Sequence, residues 1–331
     1  MSTAGAAYGL RNDRLICKAE AGRGKQSDVR TPDPRSPIPM SQSDPWTVGK
    51  LLEWTTDYLK GHGADCPRLD TELLLAEALC CGRIDLYARF HETPQDAQRA
   101  AFRQLVRRRA EGTPVGYLIG RREFYSLEFR VTPDVLIPRP ETELLVVALL
   151  DLARSRPPGQ PVLIADVGTG SGIIAVCAAK HLPNARVAAI DLSGAALEVA
   201  RRNAAEHGVA ERIELIESDL FAALPAQRRF DFIVSNPPYV STAEMHDLPA
   251  EIKSFEPRIA LEAGPKGTEV IRSLVPQAAE RLAGGGHLLI EIAPAIHNPA
   301  RAILGAENRL RVGPTINDLA RLPRVLQAVK K

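Results

Sequence analysis

Apolar positions along this chain follow two rhythms and divide it into a helical front and a back in which strands and helices alternate. Val48, Leu51, Leu52, Thr55, Tyr58 and Leu59 recur at three- and four-residue spacing, the stripe of an amphipathic helix, with Thr47 as its N-cap and Gly61 as its stop. Leu69, Leu73, Leu74, Ala76 and Leu79 supply a second stripe over 69–81. A third helix is predicted from Thr93-Pro94, a capping residue followed by proline at the first helical position, to Ala110, before Gly112 and Pro114 break it. Across 122–138, Phe124, Leu127, Phe129, Val131 and Val135 alternate with polar residues, which predicts a β-hairpin or a short extended linker. Arg139-Pro140-Glu141-Thr142-Glu143 then opens a helix through Ala153, with acids in the first turn that suit its dipole.

After Pro157-Pro158-Gly159 the order becomes strand, helix, strand. Residues 161–168 are a continuous apolar run of the kind a strand covered on both faces needs. A helix over 172–182, a strand over 186–192, a helix over 194–207 and strands over 212–220 and 230–239 follow, then a helix over 268–283 and a strand over 287–293. This alternation implies a doubly wound α/β sheet. Segments 309–313 and 324–330 would add an antiparallel pair at one edge. The expected organisation is a disordered extension over 1–45, a small helical domain over 46–116, a β-hairpin linker over 117–138 and the sheet domain over 139–331.

Composition narrows the classes. With 45% hydrophobic and 25% charged residues and no tract of eighteen apolar residues, a membrane-spanning helix is excluded. A formal net charge of +2 in 331 residues does not mark a polyanion binder. The first 45 residues are rich in Gly, Ser, Pro, Arg and Asp without an apolar stripe, hence the expected disorder. No apolar core of a signal peptide follows their basic residues, and Asp13, Glu20, Asp28 and Asp33 weaken a reading as an organellar import signal. Five cysteines (Cys17, Cys66, Cys80, Cys81 and Cys177) form no C-x-x-C pair, and no histidine cluster has ligand spacing, so no metal is expected. Cys80 and Cys81 are expected to be buried as small hydrophobes. Cytoplasmic location and a monomeric state complete the expectation.

Asp166-Val-Gly168-Thr169-Gly170-Ser171-Gly172 stands where the first sheet strand hands over to a helix. Glycines there let the backbone turn sharply and lie close to a ligand. A dinucleotide fingerprint would place its third glycine at 173, which is Ile, so the loop favours a nucleoside without a pyrophosphate. Asp191, at the tip of the second strand, is placed to accept from both ribose hydroxyls. Ser218-Asp219-Leu220 ends the third: Asp219 can accept from an adenine amino group while Leu220 covers the ring. Singly, Asp191 could be a helix cap and Asp219 a loop acid. Three successive strand ends carrying the right group argue otherwise.

The fourth strand ends in Asn236-Pro237-Pro238-Tyr239. An amide or ring-attached amino nitrogen is a poor nucleophile because its lone pair is delocalised. A site that alkylates it must hold the NH2 with acceptors. The Asn236 side-chain oxygen and the Pro237 carbonyl can each take one N–H and aim the lone pair at a sulfonium methyl. The prolines stiffen the backbone so that these acceptors need no reorganisation, and Tyr239 offers a flat face to a planar group.

Asn-Pro-Pro-Tyr after such a glycine-rich turn occurs both in DNA amino-methyltransferases and in protein glutamine N5-methyltransferases. Gly112-Thr-Pro114-Val-Gly-Tyr117-Leu-Ile-Gly120, Glu123-Phe124-Tyr125 and Val135-Leu-Ile-Pro138-Arg139-Pro140-Glu141-Thr142-Glu143 closely resemble the HemK/PrmC family, over about residues 47–330. That resemblance implies a class I methyltransferase domain, S-adenosyl-L-methionine as cofactor, and as protein substrate the peptide chain release factors, methylated on the glutamine of their Gly-Gly-Gln motif in support of translation termination. Gly168 to Gly172, Asp191, Leu220 and Asn236 would contact the cofactor, and Asn236 to Tyr239 would hold the glutamine. The helical domain would dock on the release factor, and Arg139 and Glu141 would line the substrate pocket. Two departures stand out: Glu291-Ile-Ala293 where the family usually has Glu-x-Gly, and Leu322-Pro323 within a region usually reading Gly-Arg-Asp-Arg. Neither is expected to touch the chemistry.

Arg99, Arg103, Arg107, Arg108 and Arg109 crowd one helix, which is either an electrostatic dock for a partner or a solvated face. No aromatic residues interleave with them, few basic groups flank the catalytic loop, and no target-recognition domain follows residue 240. Nucleic acid is therefore the weaker candidate substrate, with N6-adenine or N4-cytosine methylation as the alternative. A non-catalytic binding module is argued against by the intact Asn-Pro-Pro-Tyr.

Overall fold

The computed structural model describes residues 45–331 other than Pro158, so the extension expected over 1–45 lies outside the described residues except for Pro45. The chain divides into two compact units, one ending at Ile119 and one running from Gly120 to Lys331.

The first unit is helical: α1 (Val48–Gly61), α2 (Pro67–Ala78), α3 (Arg83–Ala88), α4 (Asp96–Ala110) and α5 (Val115–Ile119). Thr47 caps α1 by accepting from the Lys50 N–H at 3.3 Å. Leu51, Leu52, Leu59, Leu74, Phe102 and Val106 are fully or almost fully buried in one core. Three details depart from expectation. α4 starts after Thr93-Pro94, with Gln95 as its N-cap and the Gln98 side chain accepting from the Gln95 N–H at 3.0 Å. α3 and α5 carry no strong periodic signal and were not foreseen. Cys80 is exposed and Cys81 half-buried, because α2 stops at Ala78 and both fall in its cap. There the Cys80 N–H bonds to the Glu77 carbonyl at 3.1 Å and the Cys81 N–H to the Ala76 carbonyl at 3.0 Å, a Schellman motif with Cys80 left-handed at φ 49°. The arginines of α4 do not form one face either. Arg109 is buried and donates to the buried Asp70 at 2.7 Å, tying α4 to α2.

The second unit opens with the hairpin β1 (Arg121–Phe124) and β2 (Leu127–Arg130), joined through Tyr125 and Ser126, both at positive φ, as a two-residue turn matching strand twist requires. A 3₁₀ turn over Pro140–Thr142 leads into α6 (Glu143–Arg154). Then come β3 (Val162–Val167), α7 (Ile173–His181), β4 (Ala185–Asp191), α8 (Gly194–Glu206), β5 (Ile213–Glu217), β6 (Phe230–Ser235), β7 (Val240–Ser241), α9 (Ala250–Phe255), β8 (Glu262–Gly264), α10 (Glu269–Arg281), β9 (Leu282–Glu291), α11 (His297–Ala306), β10 (Leu310–Val312), β11 (Ile316–Asn317) and β12 (Pro323–Lys330).

The large sheet runs β10-β12-β9-β6-β3-β4-β5, with β11 also on β12. Pairings from β9 through β5 are parallel; β12 is antiparallel to β9, β10 and β11. This is the doubly wound sheet with an antiparallel edge that the alternation predicted. One face is covered by α6 and α7, the other by α10 and α11, each closing over buried Val, Ile, Leu and Ala. Strand order reverses between β3 and β6, and ligands of such sheets bind beyond the carboxyl ends at that switch point. Among the described residues no helix is long and apolar enough to cross a membrane.

Candidate functional site at the switch point

The turn after β3 is shaped by its glycines. Gly168, Gly170 and Gly172 have φ 75°, 55° and 82°, a region closed to most side chains. Their surroundings differ. A methyl on Gly172 would lie 3.0 Å from the Ala200 Cβ, so this glycine lets α7 and α8 pack. Nothing approaches Gly170 within 4 Å, and the nearest atom to Gly168 is the Asn236 carbonyl oxygen, leaving the outer side of the turn open. Asp191 closes the turn from β4: one carboxylate oxygen accepts from the Gly170 N–H at 2.8 Å, the other from the Ser193 N–H at 3.0 Å. Beyond it, the Ser218 N–H bonds to the Asp191 carbonyl at 2.9 Å, which sets Asp219, exposed, and Leu220, at φ 50°, alongside.

Thr169 and Ser171 face inward. The Thr169 hydroxyl donates to Asp166 at 2.7 Å, and the Ala175 N–H donates to the same oxygen at 3.1 Å. Asp166 lies fully buried beneath the turn, and burial pushes its carboxyl up to about 7, the two hydrogen bonds opposing. The Ser171 carbonyl accepts from the side chain of Asn203 at 2.7 Å. The same buried amide donates to the Arg130 carbonyl at 3.1 Å and accepts from the Arg130 N–H at 2.8 Å, so one side chain fastens β2 to the turn.

Asn236-Pro237-Pro238-Tyr239 leaves β6 directly, beside that turn. Ser235 anchors its start by donating to the Val167 carbonyl at 2.7 Å. The Asn236 side-chain N–H donates to the Thr142 hydroxyl at 3.2 Å, and among the described residues its Oδ1 makes no hydrogen bond. Tyr239 is half-buried, and burial first, then the nearby Glu291, pushes its hydroxyl well above the ordinary value. Gly267, at φ 72°, passes so close that a methyl there would lie 2.7 Å from the Tyr239 carbonyl.

Arg139 and Glu141 have partners within the chain. Arg139 donates to the buried Glu256 at 2.6 Å, and Glu141 faces Arg324 at 3.8 Å, while Arg324 also holds Asp318 at 2.8 Å. Sequence reading missed three residues here: Thr142, Asn203 and Glu291. Glu291 ends β9; the departure from Glu-x-Gly falls at Ala293, and Glu291 is the residue of that pattern which this chain keeps. It is buried beside Thr142 and Tyr239, and burial raises its carboxyl to about 7 against the hydrogen bond from Thr142. Arg324, in the second departing region, likewise bears on Glu291 and Tyr239.

A parallel sheet in this order, with a glycine turn on one central strand and an Asn-Pro-Pro-Tyr loop on the next, defines an S-adenosylmethionine-dependent methyltransferase of the class that modifies planar nitrogens. Residues 50–120 match the model of the PrmC N-terminal domain and residues 142–252 that of the methyltransferase small domain. The release factor glutamine methyltransferase of Rhodopirellula baltica is 46% identical over 88% of this chain and 98% of its own length; that of Geobacter sulfurreducens is 45% identical over 75% and 84%. The hMettl16 catalytic domain superposes with a TM-score of 0.50 at 15% identity, over 68% of this chain and 81% of its own, a likeness of fold alone. The chain belongs to the release factor glutamine methyltransferase family.

Proposed function

We propose that this enzyme methylates the side-chain nitrogen N5 of the Gly-Gly-Gln glutamine in peptide chain release factors, as a cytoplasmic monomer. The reading is carried by Asn236, whose side-chain N–H is tied to Thr142, whose Oδ1 has no hydrogen-bond partner among the described residues, and whose backbone carbonyl lies beside the Gly168 turn. S-adenosyl-L-methionine supplies, when bound, an electrophilic methyl on a sulfonium. The residues present fit it: the open side of Gly168 and Gly170 leaves room for a nucleoside, Asp191 retains acceptor capacity for ribose hydroxyls, and Asp219 and Leu220 stand where an adenine would lie.

Asn236 Oδ1 and the Pro237 carbonyl each take one hydrogen of the glutamine NH2, and Tyr239 supports the flat carboxamide. Held so, the nitrogen turns its lone pair toward the donor for in-line displacement. Positioning of this kind contributes several of the roughly 7–11 kcal/mol that proximity and orientation can supply. No general base is needed, because the alkylated nitrogen becomes strongly acidic. Arg139 and Glu141 shape the pocket rim through Glu256 and Arg324, and the helical unit docks on the release factor. Arg139 and Arg324, near the loop, are both paired with carboxylates, so among the described residues neither offers a free guanidinium to a nucleic-acid phosphate.

Incubation with tritiated donor and either a release factor or duplex DNA tests the reading. Label on the factor, located by tryptic mass spectrometry to the Gly-Gly-Gln peptide, is expected. Label on DNA alone, or on a factor whose Gln is replaced by Glu, would overturn it.

A further inference from the structure

A carboxamide has nearly the same shape when turned by 180°, but the two orientations are chemically opposite. With Oδ1 outward, Asn236 accepts a hydrogen from the substrate nitrogen. Turned over, it would present a donor to a donor, and the substrate NH2 would lose one of its two anchors. Something must decide between the two. Among the described residues the Asn236 side chain has one hydrogen-bond partner, the Thr142 hydroxyl at 3.2 Å.

A hydroxyl has a single proton to give, and the carboxyl of Glu291, buried beside Thr142 and held down by it against burial, is the acceptor to which the relay directs it. Thr142 can then only accept from Asn236, so the end of the amide that faces it must be NH2. Both residues are almost wholly buried, Thr142 at 1% and Glu291 at 2% exposure, so water does not compete for these bonds. Register explains the meeting: Ser235 of β6 pairs with Ile290 of β9, which brings the next residues, Asn236 and Glu291, to the same level of the sheet. Thr142 enters from the turn before α6. An ionised Glu291 carboxylate can only accept, which fixes the direction of the relay, and the neutral acid still offers its carbonyl oxygen to the Thr142 hydroxyl.

We infer that Thr142 and Glu291 are positioning residues whose hydrogen-bond relay fixes the orientation of the Asn236 amide and thereby sets the rate of methyl transfer. This rests on the proposed role of Asn236 as acceptor for the glutamine amide.

The test uses the full chain, the methyl donor and a release factor, with kcat, both KM values, donor affinity by calorimetry and melting temperature measured for each variant. Thr142→Val keeps the shape and removes the relay. It should lower kcat roughly tenfold, less than the 10²–10³ typical for loss of a group acting directly on the reacting centre. Donor affinity should stay within about twofold. Thr142→Ser should recover most of kcat, as should Glu291→Gln, whose carbonyl still accepts, while Glu291→Met should behave as Thr142→Val. In an Asn236→Ala background, Thr142→Val should cost nothing further, because the residue through which it acts is gone.

A folded Thr142→Val enzyme with unchanged kcat, or the same tenfold loss in both backgrounds, would overturn the inference. If the Val and Met variants do not fold, hydrogen exchange of the Asn236 side-chain amide in the wild-type protein decides, its resonances assigned by their loss in Asn236→Ala. One protected proton is expected; two protons exchanging as in a free amide overturn the relay. A wild-type protein inactive on release factors would instead sink the proposed function.

Discussion

The carbonyl oxygen of Asn236 lies 4.0 Å from the point where a side chain on Gly168 would begin. The contact follows from strand pairing: Val167 of β3 is level with Ser235 of β6, so the turns beyond them emerge side by side. On the proposed reading, a donor at the first turn and an acceptor nitrogen at the second would be brought together by a rigid sheet, without requiring a moving loop.

Asn236→Ala should lower kcat by about 10²-fold or more, by analogy with the loss of one preorganised polar group at a reacting centre. Donor affinity should fall much less. Calorimetric loss of donor binding together with activity would contradict that division of labour.

Gly172→Ala should destabilise the protein by roughly 1–3 kcal/mol, since its methyl meets Ala200 at 3.0 Å in a left-handed conformation. Gly170→Ala, facing open space, should lower the melting temperature less and the donor affinity more. Equal thermal shifts in the two variants would show that the crowding at Ala200 relaxes freely.

Glu291 carries a pH dependence with a definite sign. Burial raises its carboxyl from 4.5 to about 7, so the folded state binds more protons than the unfolded state between those values. Its stabilising contribution is complete below about 4.5 and declines as pH rises to about 7, by at most about 3 kcal/mol. Glu291→Gln should therefore melt with the wild type near pH 4.5 and above it at pH 8. A gap that widens on acidification would reverse the assignment.

Cys80→Gly should raise the stability of the helical unit by several tenths to about 1 kcal/mol, because Cys80 occupies the left-handed cap position that glycine fills without strain. Arg321, at φ 61° in the turn before β12, invites the same substitution with the same direction of effect. Denaturant unfolding of each variant measures both.

The sheet, its antiparallel edge, the glycine turn and the Asn-Pro-Pro-Tyr loop were legible because each is written locally, as an apolar run or as backbone punctuation at a strand end. Thr142, Asn203 and Glu291 were not. Thr142 reads as a helix-start residue, Asn203 as a polar position in α8, and Glu291 as the end of an apolar strand; their meaning arises only when β9 lies beside β6 and β2 beside the Ser171 turn. α11 escaped notice because Pro299 reads as a breaker, although proline is tolerated in a first helical turn. Similarly, Gly284 to Gly286 resemble a loop but lie inside β9. Cys80 was misplaced because an apolar periodicity does not reveal where a left-handed residue ends it.

Asn203 has a broader effect than its three hydrogen bonds. The second hairpin strand and the glycine turn share one side-chain fastener, so β2 cannot slide or peel away while Ser171 stays as it is. Asn203→Leu would cut both attachments at once, leaving the carbonyl of Ser171 and both polar groups of Arg130 without this partner. A hairpin that looks like mere connecting chain is in mechanical terms a strut of the glycine turn.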